Sequence, residues 1–363
     1  MEREREQFFF FQLKMIFHVT NSQMSSSKGT EKVLDKLKDS VESGNYYEAH
    51  QMYRTVSRRY LKQKKYDHAI DLLFSGAQLL LTHKQTGSGG DLCLYMITAY
   101  NEAELPVSEE SRARIIKLLE PYPSDVPSRK KFIDSAVSWS VNCGKNPSGD
   151  PELHHFIGEL LWRDKKYSEA EPHFLAGTSN CNEAYGKMLA EWSDQDNPSK
   201  RGVYIARAVL QYLCLRSIRD AKLSFEKFIS EVSSKDPSLK IGIVPYRPTL
   251  TGDFVDVTIY SLPLLNFLQF LILTVQRDAS DLFINLRNKY KNDLSVEPTF
   301  DDLLNKIGEI FFGIRVQRQQ FNMFQDLMNN FFSVAPSSGG GGGGGSQGSH
   351  ARANSQNSQN ELD

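Results

Sequence analysis

The chain has 363 residues, 40% of them apolar, and its 43 Lys and Arg nearly balance 44 Asp and Glu. That is enough apolar material for a large core, but more length than one compact core usually serves, so an extended stack or two domains is expected. A nominal net charge of −1 argues against general nucleic-acid binding, which needs a basic surface to neutralise phosphates.

Met1 to Val19 contains Phe8-Phe9-Phe10-Phe11 and Met15-Ile16-Phe17, but Lys14 interrupts the run and the preceding Glu-Arg alternation lacks the positive charge of a signal peptide. The stretch is also too short to span a bilayer. Residues 1–27 are therefore expected to be a disordered extension, with Met24 as an alternative start. A membrane-surface segment fits less well, because little basic charge accompanies the apolar residues.

From Thr30 onward the periodicity is helical. Val33, Leu34, Leu37 and Val41 share one face of a first helix. Gly44 then lets the chain turn, Asn45 is placed to cap the next helix, and Glu48 is placed to reach back to it. In this second helix Ala49, Met52, Tyr53, Val56 and Tyr60 form an apolar face, while Arg54, Arg58 and Lys62 stand four apart on another.

The opening Tyr46-x-x-Ala49 recurs as Tyr66-x-x-Ala69 and Tyr167-x-x-Ala170. In tetratricopeptide repeats such a run starts the second helix of a pair, and the ring fills the gap left by the small residue. The last two copies are 101 residues apart, close to three repeats of ~34. The first two, however, are only 20 apart, the length of one helix and its turn. The fold class this supports is all-α, a right-handed α-solenoid of tetratricopeptide-like helix pairs with degenerate spacing.

Ala69, Leu72, Leu73, Ala77 and Leu80 make a third helix, and Gly87-Ser88-Gly89-Gly90 reads as a loop. Helical runs follow at 92–100, 108–119 and 127–140, separated by Pro-rich turns, and then at 151–161, 167–175, 184–192, 203–215 and 221–229. One place changes period. Residues 240–243 and 254–260 alternate apolar and polar, which predicts a β-hairpin inserted near 240–260. Leu262 to Val275 is apolar nearly all round, yet short of the ~20 residues of a membrane span and interrupted by Asn266 and Gln269, so it reads as a buried helix. Amphipathic runs at 282–290 and 303–312 precede an aromatic last helix with Phe321, Phe324, Phe331 and Phe332. Residues 334–363, with seven consecutive glycines, read as a disordered tail.

No nucleotide-binding, zinc-protease or serine-hydrolase motif occurs, so neither an enzyme nor a cofactor is expected. His154-His155 is an adjacent pair, poorly spaced for a metal, and Cys181 and His173 are expected in different elements. Each reads as a packing or surface residue. Cys93, Cys143, Cys181 and Cys214 read as reduced cytosolic thiols.

Two surfaces are candidates for binding. Arg54, Arg58, Arg59, Lys62, Lys64 and Lys65 concentrate positive charge, either for an acidic partner or as a solvated face balanced by Glu48 and Asp67. The hairpin would expose apolar faces unless a partner covered them.

Several segments resemble one family in the same order along the chain. They are Gly44 to Arg54, Phe74-Ser75-Gly76-Ala77, Ala206 to Leu215, Leu264-Leu265-Asn266-Phe267 and Ile307 to Gly313, with a terminal Glu361-Leu362-Asp363. Together they are similar to the Golgi-to-ER traffic protein four family, the thirty-five-kilodalton subunit of the transmembrane-recognition complex. The likeness covers roughly 28–328; the aromatic extension, the segment 240–260 and the polyglycine tail depart from it. The resemblance implies a cytosolic, non-enzymatic scaffold for delivery of tail-anchored membrane proteins to the endoplasmic reticulum, with no membrane insertion of its own. Its N-terminal half, about 28–145, would dock a targeting ATPase. The C-terminal half, about 146–333, would hold a ubiquitin-like-domain partner, and in animals a BAG-family scaffold joins.

On that basis Arg54, Arg58, Arg59, Lys62 and Lys65 are the expected ATPase dock. Phe254, Val255, Val257, Leu264, Leu265, Phe267 and Phe270 are the expected dock for the ubiquitin-like partner. An adaptor of membrane-fusion machinery and a structural subunit of a large regulatory assembly share the helical pattern and stay open as alternatives.

Overall fold

The computed structural model describes residues 35–37, 39–246 and 255–314. Helical residues 35–37 and 39–42 lead into α1 (Tyr46–Lys62), α2 (Tyr66–Thr82), α3 (Thr86–Glu102), α4 (Glu109–Leu119) and α5 (Pro127–Cys143). Then come α6 (Pro151–Arg163), α7 (Tyr167–Ala176), α8 (Cys181–Ser193), α9 (Arg201–Cys214) and α10 (Ile218–Lys235). The strands β1 (Lys240–Tyr246) and β2 (Val255–Tyr260) follow, and then α11 (Pro263–Gln276), α12 (Ser280–Lys289), α13 (Lys291–Leu294) and α14 (Thr299–Phe312). This is the expected α-solenoid with its inserted hairpin. The extension, the aromatic helix expected after Phe321 and the tail lie outside the described residues.

The first helices repeat every 20 residues for a reason in the backbone. α1, α2 and α3 are each 17 residues long. Each reversal is made by one residue in the left-handed region: Gly44 at φ 81°, Lys64 at 56°, Lys84 at 60° and Glu104 at 47°. Around it the last carbonyls of the helix are satisfied in the Schellman pattern, as in Lys65 N–H to Tyr60 O and Lys64 N–H to Leu61 O, both 2.9 Å. The same bonds recur at Lys84, Glu104, Lys165 and Arg216. The turn therefore rests on the C-cap of the preceding helix. The N-cap expected at Asn45 is absent, for its side chain makes no capping hydrogen bond.

Packing between layers uses glycine against an aromatic ring. A Cβ on Gly76 would lie 2.6 Å from the ring of Tyr53, one on Gly158 3.2 Å from Phe174, and one on Gly308 3.1 Å from Phe283. Ala49, Ala69 and Ala170 are fully buried, in keeping with the small residue expected at each contact. Polar pairs link helices two apart in the chain: Arg54 with Asp91, Arg114 with Asp71, and Glu171 with Arg207.

One expectation is corrected. Gly87 to Gly90 lie inside α3. A Cβ on Gly89 would sit 2.8 Å from Leu81 Cγ, and one on Gly90 2.0 Å from Tyr122 Oη, so these glycines allow close approach in place of a turn. Gly87 has nothing within 4 Å of the same atom. Gly87→Ala should therefore raise stability by about 0.5 kcal/mol through lost chain entropy. Gly90→Ala should lower it by roughly 1–3 kcal/mol through overpacking. Thermal melts of the two variants, read side by side, check the difference in sign.

Candidate docking surfaces

α1 divides its residues between core and solvent. Ala49, Tyr53, Ser57 and Leu61 are buried, and Arg58, Arg59 and Lys62 point outward with Lys65 beyond the turn. Arg54 does not belong with them. Its Nη1 donates to both Asp91 carboxylate oxygens, at 2.6 and 2.5 Å, and its guanidinium lies 5.5 Å from the centre of the Tyr95 ring. His50 Nε2 meets the same carboxylate at 2.8 Å. The charge of Arg54 is thus matched by Asp91 at the half-exposed edge of the stack, tying α1 to α3. Arg58, Arg59, Lys62 and Lys65 are exposed and make no ion pair with any described residue. Arg59 and Lys62 sit in the last turn of α1, where the helix dipole favours a cation; Arg58 lacks that reason.

The hairpin is antiparallel, with Gly242 opposite Ile259, Ile243 opposite Thr258 and Val244 opposite Val257. An irregularity between Lys240 and Gly242 displaces Ile241. α11 seals the outer edge of β2 with side-chain amides. Asn266 Oδ1 accepts from Tyr260 N–H at 2.9 Å, Asn266 Nδ2 donates to Tyr260 O at 2.8 Å, and Gln269 Nε2 donates to Thr258 O at 3.1 Å. Since Thr258 and Tyr260 face α11, Val257 and Ile259 face β1, which leaves Ile243 and Pro245 on the open edge of β1. Pro245 has no N–H to offer there. A bulge and a proline blunt that edge against strand addition.

This placement corrects much of the expected apolar dock. Leu265 and Phe267 are fully buried, and Val257 and Leu264 nearly so. Phe267 packs on Tyr290 at 5.6 Å between ring centroids, and Leu264 Cβ fills the space above Gly202. These side chains hold α11 in the stack, and only Phe270 of the described set is half-buried. Phe254 and the side chain of Val255 lie outside the described residues. The exposed aliphatics are instead Ile241, Ile243 and Val244 on β1, at 66%, 65% and 51% exposure. Leu282, Ile284 and Val296 are also exposed further along. The hairpin thus exposes apolar side chains as expected, but on β1, whose residues were not among those expected to bind, although the Ile241-Gly242-Ile243 spacing held the cue.

His173 lies in α7 and Cys181 in α8, the different elements expected, and His173 meets a histidine of α6. His154 Nδ1 and His173 Nδ1 are 2.9 Å apart, joining α6 to α7, and His154 Nε2 donates to Ser148 O at 2.9 Å. With His154 Nδ1 as the acceptor and His173 Nδ1 as the donor, the His154 ring is neutral. Burial lowers the pKa of His154; burial, helped by His154 and Lys130, lowers that of His173 to about 3. Next to them His155 bonds Thr178 Oγ1 and Glu159, with Cys181 beside it. Burial opposes its charge, but the hydrogen bonds to Cys181 and Glu159 outweigh it and raise His155 to about 10. Among the described residues no group of three or more His, Cys, Asp or Glu is arranged to hold a metal, and no helix is long and apolar enough to cross a membrane.

Because the folded pKa of His173 is depressed, its stabilising effect is present above the unfolded value near 6.5 and is lost as pH falls toward about 3. Chemical denaturation at a series of pH values should show that loss, and His173→Gln should flatten it.

A helical stack with exposed cations on α1 and exposed aliphatics on a hairpin inserted before its later helices is an α-solenoid with two separate candidate docking surfaces. Comparison with known proteins narrows the class. The family model described as Golgi to ER traffic protein 4 matches residues 63–332. Golgi to ER traffic protein 4 of Aspergillus fumigatus is 36% identical over 324 residues, covering 85% of this chain and 92% of that one. The Homo sapiens homolog is 33% identical over 306 residues, covering 84% and 86%. The crystal structure of C. therm. Get4 superposes with a TM-score of 0.73 at 33% identity, covering 86% of this chain and 98% of that one. The chain belongs to the Golgi to ER traffic protein 4 family.

Proposed function

We propose that the chain is a cytosolic scaffold that bridges a targeting ATPase and a ubiquitin-like-domain protein during delivery of tail-anchored proteins to the endoplasmic reticulum. The observation that carries this reading is the separation of two kinds of unmatched surface. Free cations gather on α1, and exposed aliphatics gather on β1 and α12. Membership in a family named for Golgi-to-ER traffic supports the setting. A scaffold of this kind acts by raising local concentration, and needs no chemistry of its own.

In this reading Arg58, Arg59, Lys62 and Lys65 meet acidic ATPase surface, while Arg54 ties α1 to α3 through Asp91. The ubiquitin-like partner covers Ile241, Ile243 and Val244 through side chains, because the open edge of β1 is blunted. Phe270, half-buried on α11, borders that contact.

Reversing charge at Arg58, Arg59 and Lys62 together should weaken ATPase binding by ~10-fold or more at low salt, with the gap closing at high salt. Arg54→Glu should instead lower the melting temperature, since it sets a second carboxylate against Asp91. Ile243→Asp with Val244→Asp should abolish capture of the ubiquitin-like partner and leave ATPase affinity unchanged. Titration calorimetry of each charge-reversed and hairpin variant against each partner measures the two binding effects, and a thermal melt the effect of Arg54→Glu; equal loss of both partners in either binding variant would contradict two separate docks.

A further inference from the structure

The stack narrows between α5 and α6. α1, α2 and α3 lie against one another along their length, as do α6 and α7, but α6 approaches the preceding helices only over short stretches of α4 and α5. The apolar core runs on through this waist. Most of the bonds that span it are polar and made by long side chains. Arg112 Nη1 lies 3.2 Å from both carboxylate oxygens of Asp150. Arg129 Nη1 donates to Asp164 Oδ2 at 2.5 Å, and Lys166 Nζ to Ser124 O at 2.6 Å. Lys130 Nζ stands 3.6 Å from Glu169. The connection itself, residues 144–150, contains Gly149 at φ 97°, with Asp150 N–H donating to Ser140 Oγ at 3.0 Å.

Interdigitated apolar side chains resist rotation because any change opens voids. Ion pairs on long stems keep much of their attraction through a change of angle, and hinges are a few loop residues that absorb the dihedral change. We infer that residues 144–150 form a hinge about which α1–α5 and α6–α14 turn as two bodies, with the ion pairs across the waist, Lys130–Glu169 included, setting the resting angle. The boundary falls where the chain passes from the half assigned to the ATPase to the half assigned to the ubiquitin-like partner. The hinge stands on geometry alone, whereas its consequence, an adjustable span between two docked partners, rests on the proposed function.

The test needs no partner, so its failure would leave the bridging reading untouched. Encoded azide labels at the exposed positions Gln78 and Asn288 spare the four native thiols, and a second pair at Gln51 and Gln78 reports within the first body alone. Distance distributions from the full chain should be about twofold wider between the bodies than within one, and wider again in Arg112→Gln and Lys130→Glu. Lys130 is largely exposed, so its substitution leaves the fold intact. A between-body width equal to the within-body width, in the wild type and in both variants, overturns the hinge. A wide distribution that neither variant nor high salt alters overturns the role given to the ion pairs.

Discussion

The structure depends first on a turn. A helix that ends in a single left-handed residue, with its final carbonyls bonded back across six residues, reverses direction within three positions. Glycine adopts that backbone freely, yet only Gly44 does so here in the repeat; Lys64, Lys84 and Glu104 occupy it at a modest cost in strain. The strain is offset by what the turn makes possible. Three consecutive helices of equal length lie side by side, and the residues of one bury against its neighbours at fixed intervals.

Once the helices are so placed, charge is allotted by position. Arginine and acid pairs between alternate helices satisfy groups at the edge of the core, with Glu171 almost wholly buried against Arg207. An ion pair in that setting is weak evidence for stability, but loss of one partner leaves an uncompensated charge. The pairs thus fix which helix faces which. Cations that have no such role stand out, and on α1 they fall on the face away from Tyr53 and Leu61.

Much of this was legible in the residues. Periodicity placed nearly every helix, and the change to alternation at 240 and 254 located the hairpin, because both signals depend on burial of one face. Three features were not legible. Glycines at 89 and 90 look like a loop by composition, and only the neighbours Leu81 and Tyr122 reveal them as contact points. Leu265 and Phe267 look like binding residues on an apolar stretch, but a helix buried on most sides has no surface to give. Arg54 shares spacing with Arg58, and its partner Asp91 lies 37 residues away, beyond the reach of any local pattern.

The short reach of most contacts has a consequence for how the chain comes into being. Most salt links between helices join residues 35 to 43 apart, as in Arg129 with Asp164 and Arg114 with Asp71. A segment can therefore complete its partners soon after it leaves the ribosome, with little entropy lost to closing long loops. The contact of Cys214 Sγ with Leu303 O, 89 residues apart, is of another kind. Residue 303 must be made before α9 can form that contact, so contacts at this end of the stack close later in synthesis than those among α1, α2 and α3.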